Sequence, residues 1–197
     1  MLQPRRLSLV AKPAPTGRHA LEERSDDELM LFARGGHEAA FSVLIRRHQA
    51  RTLRLALRYL GREAAAADVT QDTFVEIFRA LPHYQAHGKF RAYLYRVLLN
   101  RCHMAFRAAR AEQRALEVIE ENGSEIDEAE LLLRERFRDV RVALGGLSEK
   151  LRSVVLLRHS GGLSHDEIAE TLEIPVGTVK RRLFDAVTKL RDAMEGA

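Results

Sequence analysis

The sequence predicts an all-α protein: two small helical domains joined by an acidic linker, the second built around a helix-turn-helix. Three observations carry that reading. Apolar residues recur at three- and four-residue spacing along most of the chain, and no run keeps the two-residue alternation of a half-buried strand. Residues 111–130 interrupt the pattern with eight acidic residues and one arginine around Asn122-Gly123. Beyond them, Leu163 to Leu183 shows two short helical patterns flanking a tight turn. A chain of 197 residues has room for one or two such domains, each burying its own core.

The elements follow in order. Residues 1–24 hold three of the five prolines and several arginines, and read as a mobile basic arm. Ser25-Asp-Asp-Glu28 is a capping box that opens a short helix, ended by Gly35-Gly36. Phe41, Leu44, Ile45, His48, Thr52, Leu55 and Tyr59 mark one face of a long helix closed by Gly61. A third helix runs from about Glu63 to Leu81, with Val69, Thr73, Ile77 and Leu81 inward and Pro82 ending it. A polar loop precedes a fourth helix, about Phe90 to Arg110, whose inner face is Phe90, Leu94, Val97 and Leu98. The first domain is therefore 25–108, the linker 109–130 and the second domain 131–193. Gly145-Gly146 and Gly161-Gly162 punctuate helices there and match no phosphate-binding glycine motif.

In the helix-turn-helix, Ser164 and Glu167 form a second capping box. Ile168, Ala169 and Leu172 give the first helix its apolar face, and Pro175 stops it. Val179, Leu183, Ala186, Val187 and Leu190 give the second helix its stripe. The first helix carries Asp166, Glu167, Glu170 and Glu173 and no Lys or Arg; the second carries Lys180, Arg181, Arg182, Lys189 and Arg191 against Asp185. A helix that approaches phosphates is favoured by positive charge, because each contact releases counterions.

A second basic surface lies between residues 78 and 110, which contain no Asp or Glu. Arg79, Lys89, Arg91, Arg96, Arg101, Arg107 and Arg110 alternate there with Phe78, Tyr84, Phe90, Tyr93, Tyr95 and Phe106. Cations that track a backbone and rings that stack on unpaired bases suit single-stranded nucleic acid. The alternative for Phe78, Phe90 and Phe106 is that they are simply core, which is the reading for most of the phenylalanines. Tyr93 and Tyr95 lie about 200° apart on a helix, so at least one is open to a partner. The preceding helix carries Asp68, Gln71, Asp72 and Glu76 on one outer face. Spacing alone leaves that face either an ordinary solvated surface or a docking site for a basic helix.

The bulk numbers set bounds. The formal charge of +4 favours a polyanionic partner without proving one. Cys102 is the sole cysteine, which excludes an intramolecular disulfide and fits a reducing cytoplasm. No stretch reaches the ~20 apolar residues of a membrane span, and the N-terminus lacks the apolar run of a signal peptide. No nucleophile constellation is visible, so the chain reads as a non-enzyme without cofactor or metal.

Asp68-Val-Thr-Gln-Asp-Thr-Phe74, Phe90-Arg-Ala-Tyr-Leu-Tyr-Arg-Val97 with Asn100, and Gly162 through Ala169 to Ile174-Pro-Val-Gly-Thr-Val-Lys-Arg-Arg-Leu183 resemble bacterial sigma factors. The similarity is to the extracytoplasmic-function (ECF) group, which retains regions 2 and 4, and it covers about residues 25–193 in order. The resemblance implies that Asp68, Gln71, Asp72 and Glu76 dock on the β′ clamp helices of RNA polymerase core. It implies that Lys89, Arg91, Tyr93, Arg96 and Asn100 bind the melted minus-10 element, with an extruded base at the loop. Tyr93 stands where the family often carries Trp. Thr178, Lys180, Arg181 and Arg182 would bind the minus-35 element, and the same domain would contact the β flap. Many members of the group are held by an anti-sigma factor. Glu173 stands where glycine is common in the turn, so the turn is expected to avoid a glycine-dependent angle.

Two other readings stand beside this one. The helix-turn-helix also resembles the output domain of response regulators, but an all-helical N-terminal half leaves no place for their α/β receiver. A metal-binding sensor would draw on His83, His87, Cys102 and His103, although Pro82 and Gly88 bracket the histidine pair.

Overall fold

The computed structural model describes residues 18–116 and 142–195. Five helices make the first half: α1 (Arg18–Glu22), α2 (Asp26–Arg34), α3 (Glu38–Leu60), α4 (Glu63–Ala80) and α5 (Phe90–Leu116), with a 3-10 turn at Leu81–His83. After a helical stretch at 142–146 come α6 (Glu149–His159), α7 (His165–Leu172) and α8 (Val176–Glu195). No strand occurs among the described residues.

Local chemistry explains most boundaries. Ser25 Oγ accepts from the Glu28 amide while Glu28 accepts from the Ser25 amide at 2.9 Å; Ser164 and Glu167 repeat the arrangement at the start of α7, the return bond being 2.7 Å. Gly61 closes α3 at φ 72, a left-handed angle that favours glycine. The predicted inner faces of α3, α4 and α5 are buried, apart from Ile45, which is half-buried.

Five expectations are corrected. The basic arm does not extend to residue 24: α1 forms within it and Leu21 is buried against the first core. Residues 1–17 lie outside the described ones. Helix α5 passes Arg110 and reaches Leu116, because Ala111-Glu112-Gln113-Arg114-Ala115-Leu116 contains only good helix formers and the breakers Asn122-Gly123 come later. The rest of the acidic linker lies outside the described residues. Val187 is exposed; it sits about 100° from buried Ala186 and cannot share its direction. Phe78 is 50% exposed rather than core. Glu173 adopts φ 54, ψ 46, the left-handed angle the turn was expected to avoid.

The Glu173 angle is accepted because its amide and that of Ile174 close α7, the latter on the Ala169 carbonyl at 3.0 Å. A β-carbon in this region costs about 1 kcal/mol. Glu173→Gly is expected to raise the thermal midpoint of the chain by roughly 1–3 °C, read by circular dichroism, since the angle becomes unstrained. An unchanged or lower midpoint would show that the Glu173 side chain stabilises more than its backbone costs.

A second local device ties α2 to α3. Asp26 Oδ2 meets His48 Nε2 at 2.8 Å, and Asp26 also pairs with Arg47. Burial opposes the Asp26 charge, but the bonds to His48 and Arg47 outweigh it and lower its pKa. A lowered carboxylate pKa adds stability that is complete above the unfolded value, about 4, and is lost as pH falls through the folded value. Asp26→Asn should therefore be less stable than the parent by about 1–2 kcal/mol at neutral pH. In urea titrations that gap should close only below about pH 4; a constant gap down to pH 3 would separate the ion pair from the pH dependence.

Two apolar clusters result. One lies within the first half, with Leu29, Met30, Leu44, Ile77, Phe90 and Leu94 at its centre. The other runs without interruption from α3 and α5, through Leu55, Tyr59, Tyr95, Leu98 and Cys102, into Leu157, Leu163, Ile168 and Val179 of the second half. The two halves thus share a core.

Candidate nucleic-acid interface

The loop before α5 is built by Asp27. Its Oδ1 accepts from the Tyr84 hydroxyl at 2.8 Å and from the Gly88 amide at 3.1 Å, and its Oδ2 accepts from the Phe90 amide at 3.3 Å. Arg34 Nη1 donates to the Tyr84 carbonyl at 2.9 Å. Gly88 turns the chain at φ 71. Burial, then the bond to Asp27, pushes the Tyr84 pKa up, so the hydroxyl stays a donor. The loop and the start of α5 form a concavity lined by His83, Tyr84, His87, Lys89, Tyr93 and Arg96, among others. Tyr93 packs against Tyr84 with ring centroids 5.8 Å apart and remains half-buried, while Tyr95 is 1% exposed in the shared core. Of the two tyrosines, Tyr93 is therefore the one a ligand reaches.

The cations of this surface are not free. Arg91 Nη1 meets Glu167 at 2.9 Å, and its Nη2 donates to the carbonyls of Gly161 and Gly162 at 3.0 and 3.2 Å. Arg96 pairs with Glu173 at 2.6 Å and donates to the carbonyls of Thr171 and Glu170 at 3.2 and 3.1 Å. Lys89 pairs with Glu170, which also lines the concavity. Asn100 is exposed.

On α4, Asp68, Gln71 and Asp72 are exposed and Glu76 is half-buried. The four do not form one open acidic face. Arg101 holds Glu76 at 2.7 Å and Asp72 at 3.1 Å, offsetting part of the negative charge at that end. Gln71 instead borders an apolar groove between α3 and α4, lined by Phe41, Ile45, Leu53, Phe74, Val75 and Phe78. Sequence reasoning missed this groove. Its signal was the apolar surplus at Leu53, Val75 and Phe78, which fall outside the inward stripes.

On α8, Lys180 and Arg181 are exposed and Thr178 and Arg182 half-buried. Arg181 meets Asp185 only at 3.8 Å, one turn along an exposed face. The residues of the metal-sensor alternative do not converge. No group of three or more potential ligands suits a metal among the described residues. Burial pushes the Cys102 thiol up to about 12, the opposite of what a thiolate ligand needs. His103 turns instead to Ser153 Oγ at 3.0 Å. No described helix is long and apolar enough to cross a membrane.

An all-helical pair of domains, one with a ringed basic concavity and one with a helix-turn-helix, defines a class of DNA-reading transcription protein. Comparison with known proteins gives the particular family. Residues 44–112 match the model of Sigma-70 region 2, and residues 137–190 match that of Sigma-70, region 4. The ECF RNA polymerase sigma-E factor of Escherichia coli (strain K12) is 31% identical over 176 residues, spanning 84% of this chain and 92% of that protein. The RNA polymerase sigma-H factor of Pseudomonas aeruginosa is 30% identical over 186 residues, 89% of this chain and 96% of that one. A solved structure of CnrH in complex with the cytosolic domain of CnrY aligns with TM-score 0.71 at 27% identity, covering 88% of this chain and 99% of that chain. The chain belongs to the sigma-70 family, in its ECF group, and is a sigma factor of transcription initiation.

Proposed function

We propose that this sigma factor joins RNA polymerase core and directs it to promoters by reading two DNA elements and helping to melt one of them. Residues 25–108 act as region 2 and residues 131–193 as region 4. The observation that carries the reading is the concavity at the Asp27-held loop, where Tyr93, backed by buried Tyr84, offers a ring beside Lys89 and Arg96. It suits an unpaired base with its phosphates alongside. Thr178, Lys180, Arg181 and Arg182 read the minus-35 duplex from α8, with direct base contacts worth about 1–3 kcal/mol each. Region 4 also contacts the β flap. RNA synthesis itself remains the polymerase's chemistry.

Core docking uses α4. Gln71 borders the apolar groove, Asp68 is exposed on the same helix, and Asp72 and Glu76 become available when Arg101 exchanges partners. A β′ clamp helix fits an apolar groove with a polar rim. The same face suits a helical segment of an anti-sigma factor before core is engaged.

In holoenzyme, Tyr93→Ala is expected to preserve closed-complex formation and to reduce open complex by roughly 5- to 150-fold, the 1–3 kcal/mol of one base stacked on one ring. Permanganate reactivity of unpaired thymines reports it directly. Equal reactivity in parent and variant, at matched promoter occupancy, would place the base pocket elsewhere.

A further inference from the structure

Helix α3 carries a charged flank that neither core docking nor base reading uses. From Ala39 to Leu60 it contains no Asp or Glu, and it carries Arg46, Arg47, Arg51, Arg54 and Arg58. Arg46 and Arg47 are answered by Glu22 and Asp26. Arg51, Arg54 and Arg58 are exposed, and no carboxylate among the described residues pairs with any of them. Arg58 meets only a neutral hydroxyl, Ser160 Oγ at 3.1 Å. Spacings of three and four residues put the three guanidinium groups on one side of the helix.

That side is turned away from the apolar groove. Gln49 and Leu53 line the groove, and Arg47 and Arg51 precede them by two residues each, about 200° around the helix. A partner seated in the groove therefore leaves the stripe open. The stripe offers no ring, since Phe41, His48 and Tyr59 of α3 are all buried. Charge without rings suits a phosphate backbone and gives an unpaired base nothing to stack on. Guanidinium groups pair with phosphate in a forked geometry that lysine lacks, and every cation of the stripe is arginine. From Arg51 to Arg58 the helix rises about 10 Å, the axial length of roughly three phosphates on one strand of duplex DNA. The near end adjoins α5. Burial raises the Tyr95 pKa, and the charges of Arg91 and Arg51 both oppose that rise, so both guanidinium groups bear on one phenol.

We infer that Arg51, Arg54 and Arg58 form a sequence-independent track for the backbone of duplex promoter DNA, separate from the residues proposed to read the minus-10 and minus-35 elements. Base-reading residues choose the promoter; the α3 track adds affinity and holds register on any sequence.

The test uses the full chain and a fluorescent mixed-sequence duplex, titrated over a range of salt. Each phosphate neutralised contributes about 0.9 to the slope of log affinity against log salt. Arg51→Gln with Arg54→Gln is expected to lower that slope by about 2 and to weaken binding roughly tenfold in dilute salt. Arg51→Lys with Arg54→Lys keeps the charges and should keep most of the slope. Arg46→Gln with Lys150→Gln removes the same charge from exposed positions off the stripe and should leave the slope unchanged. On promoters, holoenzyme carrying the Arg51 and Arg54 glutamine pair should bind every sequence more weakly by one common factor. The penalty for each minus-10 or minus-35 base substitution should stay as in the parent.

An unchanged slope in the glutamine pair overturns the inference. If that variant instead loses affinity for polymerase core, the stripe is a protein contact; if it loses only thermal stability, the stripe serves carboxylates of this chain. An equal fall in the off-stripe variant reduces the effect to net charge and overturns the track as well. Should the glutamine pair unfold, Arg54→Gln alone, expected to lower the slope by about 1, decides. Promoter binding and opening indifferent to changes at Tyr93, Lys180 and Arg181 would remove the proposed reading and leave the duplex slope of Arg51 and Arg54 standing.

Discussion

Arg152→Met should destabilise the chain by about 3–5 kcal/mol, the cost of losing three charge-assisted hydrogen bonds and leaving buried carbonyl acceptors without a donor. Arg152 is 2% exposed. Its Nε donates to the Leu144 carbonyl at 2.9 Å, and its Nη2 to those of Gly145 and Leu147 at 2.9 and 3.0 Å. These carbonyls lie where a helix ends and its last acceptors lack intrahelical partners; the Leu144 carbonyl also accepts from the Leu147 amide at 3.2 Å. The guanidinium carbon sits 4.0 Å from the centre of the Phe106 ring and 5.1 Å from that of Tyr59, both from the first half. Methionine keeps the stem's packing, orphans the Gly145 and Leu147 acceptors and leaves Leu144 with the Leu147 amide alone, so the loss is polar rather than a cavity. The thermal midpoint should fall by roughly 10 °C for a chain of this size. A midpoint within about 2 °C of the parent would show that water satisfies those carbonyls and that Arg152 is not the joint.

Asp27→Ala carries the larger functional effect. One carboxylate holds a phenol, the loop glycine amide and the first amide of α5, and it places negative charge at that helix's N-terminus. Charge-assisted bonds of this kind contribute about 1.5–3 kcal/mol each when measured singly, and they do not add fully. A net loss of about 2–3 kcal/mol in loop order corresponds to roughly 30- to 150-fold in open-complex formation. Amide exchange at Gly88 and Phe90 should accelerate, with minus-35 binding untouched because α8 is remote from the loop. Asp27→Asn keeps an acceptor oxygen but not the charge and should fall between. Open-complex yield and amide exchange both unaltered in Asp27→Ala would leave the loop's shape to its own sequence.

How far the site was legible depended on distance along the chain. Helix geometry alone requires that Tyr93 and Tyr95 do not both point inward, since residues two apart point in opposed directions; it does not say which is open, and the packing of α5 puts Tyr95 in the shared core. Asp27 was read only as part of a capping box, because its partners stand 57 to 63 residues away and no local pattern announces them. The sequence leaves Phe78 between surface ring and core; its exposure depends on the groove that α3 and α4 leave between them. Asp72 and Glu76 were counted as a free acidic face, and only the approach of α5 brings Arg101 against them.

The sequence by itself determined the all-helical class, the two capping boxes, the inward stripes and the charge polarity of the helix-turn-helix, and through its motifs the family. These features arise within three to eight residues, where helix geometry fixes which groups meet. Only the tertiary structure decided that α7 faces α5, that Arg152 joins the halves and that Glu173 takes a left-handed angle. Charges of opposite sign on two helices are compatible with pairing or with separate solvated surfaces, and which occurs is set by the apolar core that brings the helices together.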